Sequence, residues 1–362
     1  MSIGAFQALK RASVWLMCLL PTFWSATAFS QDNGLDSESF VILAPKIVEA
    51  VDPVYPSKRA ANGVEGWVVV NFMVDTNGKP YEPVIIDSTG QKDFENASVE
   101  ALMRSKYQSA TLDGDPVDGS VFRRYSFFLT NTDGAGTVFK SRYRNFTEKL
   151  GAGELDEAKA LLEKMDNSKK NRYEAAFVDL SKALWGAKTG AKIYQMNHLR
   201  KALAYSSKER GAINFLPEDI APAVRANLLS LQIENRYFSE AVSTYRWMVR
   251  NNHDKYVEMF SSNIEELERQ KNSVDAYSVE GQIDGLLPWY ISLFKDTFYI
   301  DEVNGQVDEI SLYCAGGYRV LQYQELSEYV VPPEWGDCGL MVVGGIPDTT
   351  FSLVQLGQES AD

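Results

Sequence analysis

Apolar and polar positions change rhythm three times along the chain. From residue 64 to 130 they alternate as in strands, with one helical interruption. From 138 to 271 they recur at helical spacing, and from 276 to 357 alternation returns, broken by Gly and Pro clusters. In the first stretch Val68, Val70, Phe72 and Val74 share one strand face, because successive strand side chains point to opposite sides. This run ends at Asp75-Thr76-Asn77-Gly78, where Asn-Gly supplies the positive φ angles a tight hairpin needs. Tyr81 to Ser88 is the expected return strand. Asp93 is the expected N-cap of a helix whose apolar stripe is Phe94, Ala97, Ala101 and Leu102. Gly114-Asp115-Pro116 reads as a turn. Val121 to Leu129 reads as a last strand, with Val121, Tyr125, Phe127 and Leu129 on one side and Phe122 and Phe128 on the other. Strand, strand, helix, strand predicts a small sheet with one helix packed on it.

The middle stretch predicts stacked helical hairpins. Helices are expected near 173–187, 192–208 and 218–234. Others open at Gly153-Glu154-Leu155-Asp156-Glu157-Ala158 and at Asn235-Arg236-Tyr237-Phe238-Ser239-Glu240-Ala241. The spacing is similar to tetratricopeptide units, which run about 34 residues. A plain helical bundle fits the same pattern. In the last stretch Val307 to Tyr313, Tyr318 to Tyr323, Gly339 to Val343 and Thr350 to Leu356 are expected strands, and Asn304-Gly305 is a hairpin signal. Short strands at this spacing predict a small β-sandwich. The expected fold class is therefore α+β and multidomain, with a small ββαβ domain, a helical repeat-like middle and a C-terminal sandwich.

Composition and charge sharpen the picture. The chain has 362 residues, 45% hydrophobic and 12% aromatic, enough for packed cores. Its formal net charge of -13 sets it against nucleic acid and anionic lipid surfaces. Residues 1–30 read as an export signal: Lys10 and Arg11, an apolar core from Ala12 to Leu20, then Ala26-Thr27-Ala28-Phe29-Ser30. The alternative is an uncleaved anchor over residues 12–30. In an oxidising compartment Cys314 and Cys338 are expected to pair. That bond would contribute roughly 3 kcal/mol in the chain-entropy model, and two free buried thiols are the alternative.

Catalytic signals are missing from the sequence. It contains no P-loop, dinucleotide fingerprint, metalloprotease helix or Gly-x-Ser-x-Gly. His198 and His253 give little material for a triad or a metal centre, so neither an enzyme, a metal nor a cofactor is expected. Trp289, Tyr290 and Trp335 are candidates for a sugar-binding surface or for packing at a sandwich edge.

A family emerges in the first domain. Pro53-Val54-Tyr55-Pro56, Gly63-Val64-Glu65-Gly66, the run from Trp67 to Asp75, Gly78, Ser88-Thr89-Gly90 and Gly114-Asp115-Pro116-Val117 follow one another as in the C-terminal domain of TonB-type energy transducers. Residues 47 to 130 resemble that family. The resemblance implies a domain that captures a short receptor segment on the exposed edge of its last strand, by β-strand addition. The implied partner-binding residues are Tyr55, Pro56, Val121, Phe122, Arg123, Arg124, Tyr125 and Ser126. Arg123 and Arg124 would keep the edge from pairing indiscriminately and draw an acidic segment. Tyr55 packing on the sheet and solvated edge arginines are the plainer alternative.

The pattern also departs from the family. A transducer carries an uncleaved anchor and a long spacer, and its domain ends the chain. Here Gln31 to Lys46 is a short linker, and at most ~3.6 Å per residue it does not cross a periplasm. The resulting expectation is a signal peptide over 1–30, a linker over 31–46, a TonB-like domain over 47–131, a helical region over 137–272 and a β-rich domain over 276–357. The protein would sit in the periplasm and bind an extended segment of an envelope or outer-membrane protein. A second partner would sit on the helices, and a second copy of the chain is a further candidate partner. The alternatives are an energy transducer held in the inner membrane by residues 12–30 and a protein that binds cell-wall glycan.

Overall fold

The computed structural model describes residues 40–129, 134–169, 171–204, 216, 220–283 and 287–357. The expected export segment and most of the linker that follows it lie outside the described residues. The elements from Phe40 onward pack into one unit.

The first sheet is built from β3 (Gly66–Val74), β4 (Pro80–Ser88) and β8 (Gly119–Phe127), in the order β4-β3-β8 and antiparallel throughout. The helix α2 (Lys92–Arg104) covers one face with Phe94, Ala101 and Leu102, against Val68, Val70, Phe72 and Val74 of β3. Asp93 stands in the first turn of α2 rather than at its N-cap, which is Gln91. The Asp93 carboxylate accepts from Arg59 Nε at 2.7 Å, and that bond holds it below the ordinary carboxylate range. Arg59 belongs to α1 (Ser57–Ala61), so Asp93 ties two helices instead of capping one.

The β3–β4 turn differs from a two-residue Asn-Gly turn. Gly78 takes φ 81°, while Asp75 Oδ1 accepts from the N–H groups of Asn77 and Lys79 at 2.9 and 2.8 Å. The side chain of Asp75 thus does part of the turning. A Cβ on Gly78 would stand 2.0 Å from Tyr107 O, so only glycine lets β5 (Lys106–Gln108) come this close. Four more short strands accompany it: β1 (Ile42–Leu43), β2 (Lys46–Glu49), β6 (Ala110–Leu112) and β7 (Asp115–Val117). β2 pairs with β5, and β1-β6-β7 form a three-stranded ribbon. Pro116 therefore lies in a strand, and the turn is made by Asp113 and Gly114 at φ 51° and 97°.

Helices follow in sequence order: α3 (Thr137–Ala152), α4 (Leu155–Ser168), α5 (Arg172–Thr189), α6 (Lys192–Ala204), α7 (Ala221–Glu234), α8 (Phe238–Arg250) and α9 (Asp254–Lys271). Each packs on its neighbour in the chain. Gly153 and Gly190 end α3 and α5 in the left-handed conformation.

Two four-stranded antiparallel sheets close the chain. One has the order β10-β15-β12-β13, from β10 (Trp289–Ser292), β12 (Glu309–Cys314), β13 (Gly317–Leu321) and β15 (Cys338–Val343). The other has the order β14-β11-β16-β9, from β9 (Tyr277–Ile283), β11 (Thr297–Asn304), β14 (Tyr329–Val330) and β16 (Thr349–Leu356). Leu312, Leu340 and Val342 of one meet Phe298, Ile300 and Leu353 of the other in one core, as in a sandwich. Asn304-Gly305 makes no hairpin: β11 and β12 lie in different sheets, so the chain crosses between layers there. Cys314 and Cys338 are cross-strand partners of β12 and β15 and form a disulfide.

The small sheet is the middle layer of three. Its second face presents Trp67 to the core shared by α5, α6 and the sandwich. Met73 on the same face joins Tyr313 and Met341. This two-sided burial explains why Gly66–Val74 is apolar at almost every position rather than at alternate ones.

Candidate functional site

β8 pairs with β3 along its whole length, from Gly66↔Phe127 to Val74↔Gly119. It is the end strand of its sheet, and among the described residues no strand pairs with its other side. A groove of about 710 Å³ runs beside that edge. Its opposite wall is the segment from Pro45 to Pro53, completed by Tyr55 and Tyr107. The N–H and C=O groups on the outer side of an end strand are a template for another extended chain.

Seven of the eight residues expected from the sequence line this groove. Tyr55 stands edge-on to Phe94 and Phe127, at 5.6 and 5.7 Å between ring centres, and its hydroxyl donates to Val64 O at 2.7 Å. Burial, with Glu65 nearby, pushes that hydroxyl up to about 12. Pro56 is the exception: it precedes α1, and its carbonyl accepts from Arg59 and Ala60. Val121 and Tyr125 turn into the core under α2. Burial raises the Tyr125 hydroxyl above the ordinary tyrosine range. Ser126 lines the groove opposite Trp67 in the ladder. Phe122 is 49% exposed and meets Tyr290 edge-on at 5.8 Å.

Arg123 and Arg124 are neighbours with opposite surroundings, as strand alternation requires. Arg123 lies 4.8 Å from the Tyr125 ring centre and donates to Tyr107 Oη at 3.2 Å. Arg124 lies 4.9 Å over Trp67, on the face turned toward the helices. Both line the groove.

The structure adds residues that sequence reasoning missed. Arg172, the first residue of α5, joins the groove wall and covers Phe128 at 4.5 Å. Glu65 places it there. That carboxylate is fully buried, accepts from Leu129 N and Arg172 N at 2.6 and 3.0 Å, and lies 3.6 Å from Arg172 Nε. Glu65 stood in the Gly-x-Glu-Gly motif, but nothing local indicated that its partner lies 107 positions away. Asp52 is the carboxylate among the groove residues, against Arg123, Arg124 and Arg172. The groove is thus basic on a chain of net charge -13.

Other candidates are absorbed into packing. Trp289 stands edge-on to Phe351 at 5.0 Å. Trp335 packs on Gly317 and is covered by Arg319 at 5.1 Å. These contacts hold both tryptophans in the sandwich edge. His198 shares a 2.7 Å hydrogen bond with Asp179 inside the helical region, and burial lowers its pKa despite that partner. Among the described residues no three His, Cys, Asp or Glu gather as a metal site, and no helix is long and apolar enough to cross a membrane.

A groove beside an open strand edge, on a small sheet backed by one helix, is the geometry on which strand addition operates. Residues 51–129 match the family model described as Gram-negative bacterial TonB protein C-terminal, so this part of the chain is similar to the TonB C-terminal domain family. The chain is 32% identical over 92 residues to Protein TonB of Vibrio cholerae serotype O1, covering 25% of this chain and 37% of that protein. It is 34% identical over 79 residues to Protein TonB of Yersinia enterocolitica, covering 22% and 31%. The chain therefore spans about a third of the curated relatives it matches. The solution structure of the Pseudomonas aeruginosa TonB C-terminal domain aligns with 24% of this chain and 89% of its own, at 19% identity and a TM-score of 0.22. The family match ends at residue 129, ahead of the helical region and the sandwich.

Proposed function

We propose that this is a TonB-type, non-enzymatic protein of the bacterial envelope that binds an extended segment of an envelope or outer-membrane protein on the edge of β8. Such a role serves TonB-dependent transport across the outer membrane. The observation that carries the reading is the one-sided pairing of β8 beside an open groove. The family match of residues 51–129 supports it. An incoming strand would satisfy the outer N–H and C=O groups of β8, while Tyr55, Phe122 and Arg123 would meet its side chains. The export signal and the periplasmic setting belong to the same reading.

Amide hydrogen exchange on the full chain tests it, with peptides from the periplasm-facing segments of outer-membrane receptors. Because successive amides of a strand point to opposite sides, binding should protect alternate residues of β8. A peptide that binds without protecting β8, or a panel in which none binds, would overturn strand addition.

A further inference from the structure

A second cavity, of about 380 Å³, lies among α8, α9, β10 and β15. Phe122 lies in the wall of both cavities, so the smaller one adjoins the docking groove at the first half of β8. We propose that the two form one track, and that the partner segment runs past Phe122 to place acidic residues in the smaller cavity. This rests on the strand-addition reading above and names the chemistry of the partner.

Charge is the argument. Arg246 and Arg250 lie four residues apart on α8, hence on one helix face, and Lys271 ends α9 beside them. Like charges at that spacing oppose the helix. Among the described residues no carboxylate lies within ion-pair distance of any of the three, whereas Arg172 is held by Glu65. Glu268 and Asp337 also line the cavity, leaving the cations in excess on a strongly acidic chain. Tyr290 and Phe294 supply an apolar side, and Ser239, Ser243 and Ser292 supply hydroxyls. The size suits a few side chains rather than a folded partner.

The test uses the full chain and synthetic peptides with an alternating Thr/Val strand of eight residues, flanked at one end or the other by four Glu or four Gln. One of the two Glu-flanked orientations should bind about tenfold more tightly than its Gln twin, a gain that falls with added salt. Arg246→Glu with Arg250→Glu should abolish the gain while leaving β8 amide protection in place, since both side chains are exposed. A gain that survives in the double variant overturns the continuous track. Protection of β8 with no gain from either flank also overturns it and leaves strand addition standing. If no peptide protects β8, both readings fall.

Discussion

β3 and β16 are each central strands of antiparallel sheets, yet they are buried in different rhythms. β16 alternates buried and half-buried positions along its length, because it faces one core and leaves its other side near solvent. β3 is buried at eight of nine positions, because α2 covers one face and the helices and sandwich cover the other. A sheet enclosed on both faces has only its edges left for recognition. One edge of the small sheet is β8, and that is where the groove lies.

Trp67→Ala breaks this comparison most sharply. It removes the largest side chain on the second face of β3 and should cost about 4 kcal/mol of stability. Val354→Ala on the outer side of β16 should cost less than about 1 kcal/mol. Denaturant melts of the full chain measure both, and equal small losses would mean that the second face of β3 is not enclosed. The disulfide comes next. Replacing Cys314 and Cys338 by Ser should lower stability by about 3 kcal/mol, since it frees the loop that joins them. Peptide binding at β8 should persist in that variant, because the bond lies in the sandwich.

Neighbouring arginines test the two sides of β8. Arg124→Ala should cost about 1 kcal/mol in thermal melts through the lost contact with Trp67. Arg123→Ala should change stability by less than about 0.5 kcal/mol but weaken binding of an acidic segment in calorimetry. Reversed outcomes would exchange their assigned roles. The smallest effect concerns Glu240, half-buried where α8 meets β10, where it accepts from Ser292 N at 2.9 Å. Burial raises its pKa in the folded chain, so the folded state holds this proton more tightly than the unfolded one. Its contribution is therefore greatest at low pH and falls as pH rises through the raised value. Glu240→Gln keeps an acceptor for Ser292 and should flatten this part of the stability–pH curve, read from melts across the acidic range.

Much of the small sheet was legible because its signals are local. The alternation of Val68, Val70, Phe72 and Val74, the helical stripe of Phe94, Ala101 and Leu102, and the turn at Gly78 need no knowledge of the rest of the chain. Arg123 and Tyr55 could be named for the same reason, through a motif order carried by one contiguous segment. The second covered face of β3, with Trp67 and Met73, was not read from the sequence, because what covers it comes from distant parts of the chain. Strands of two to four residues, such as β1, β2 and β5, are too short to show a period. Asn304-Gly305 carried a hairpin signal, but turn chemistry specifies a bend and not which strand pairs with which. Arg172 was invisible because its place in the groove depends on a hydrogen bond to Glu65 across 107 positions.

What the sequence determined alone was the kind of most long elements and the family resemblance of residues 47 to 130, since periodicity and motif order are properties of neighbours along the chain. The tertiary structure decided that the small sheet is enclosed on both faces and that β8 keeps one side open. It also decided that arginines from the helical region stand near the groove. Those are matters of which distant surfaces pack together, and packing is settled by the shape and burial of the whole molecule rather than by any local pattern.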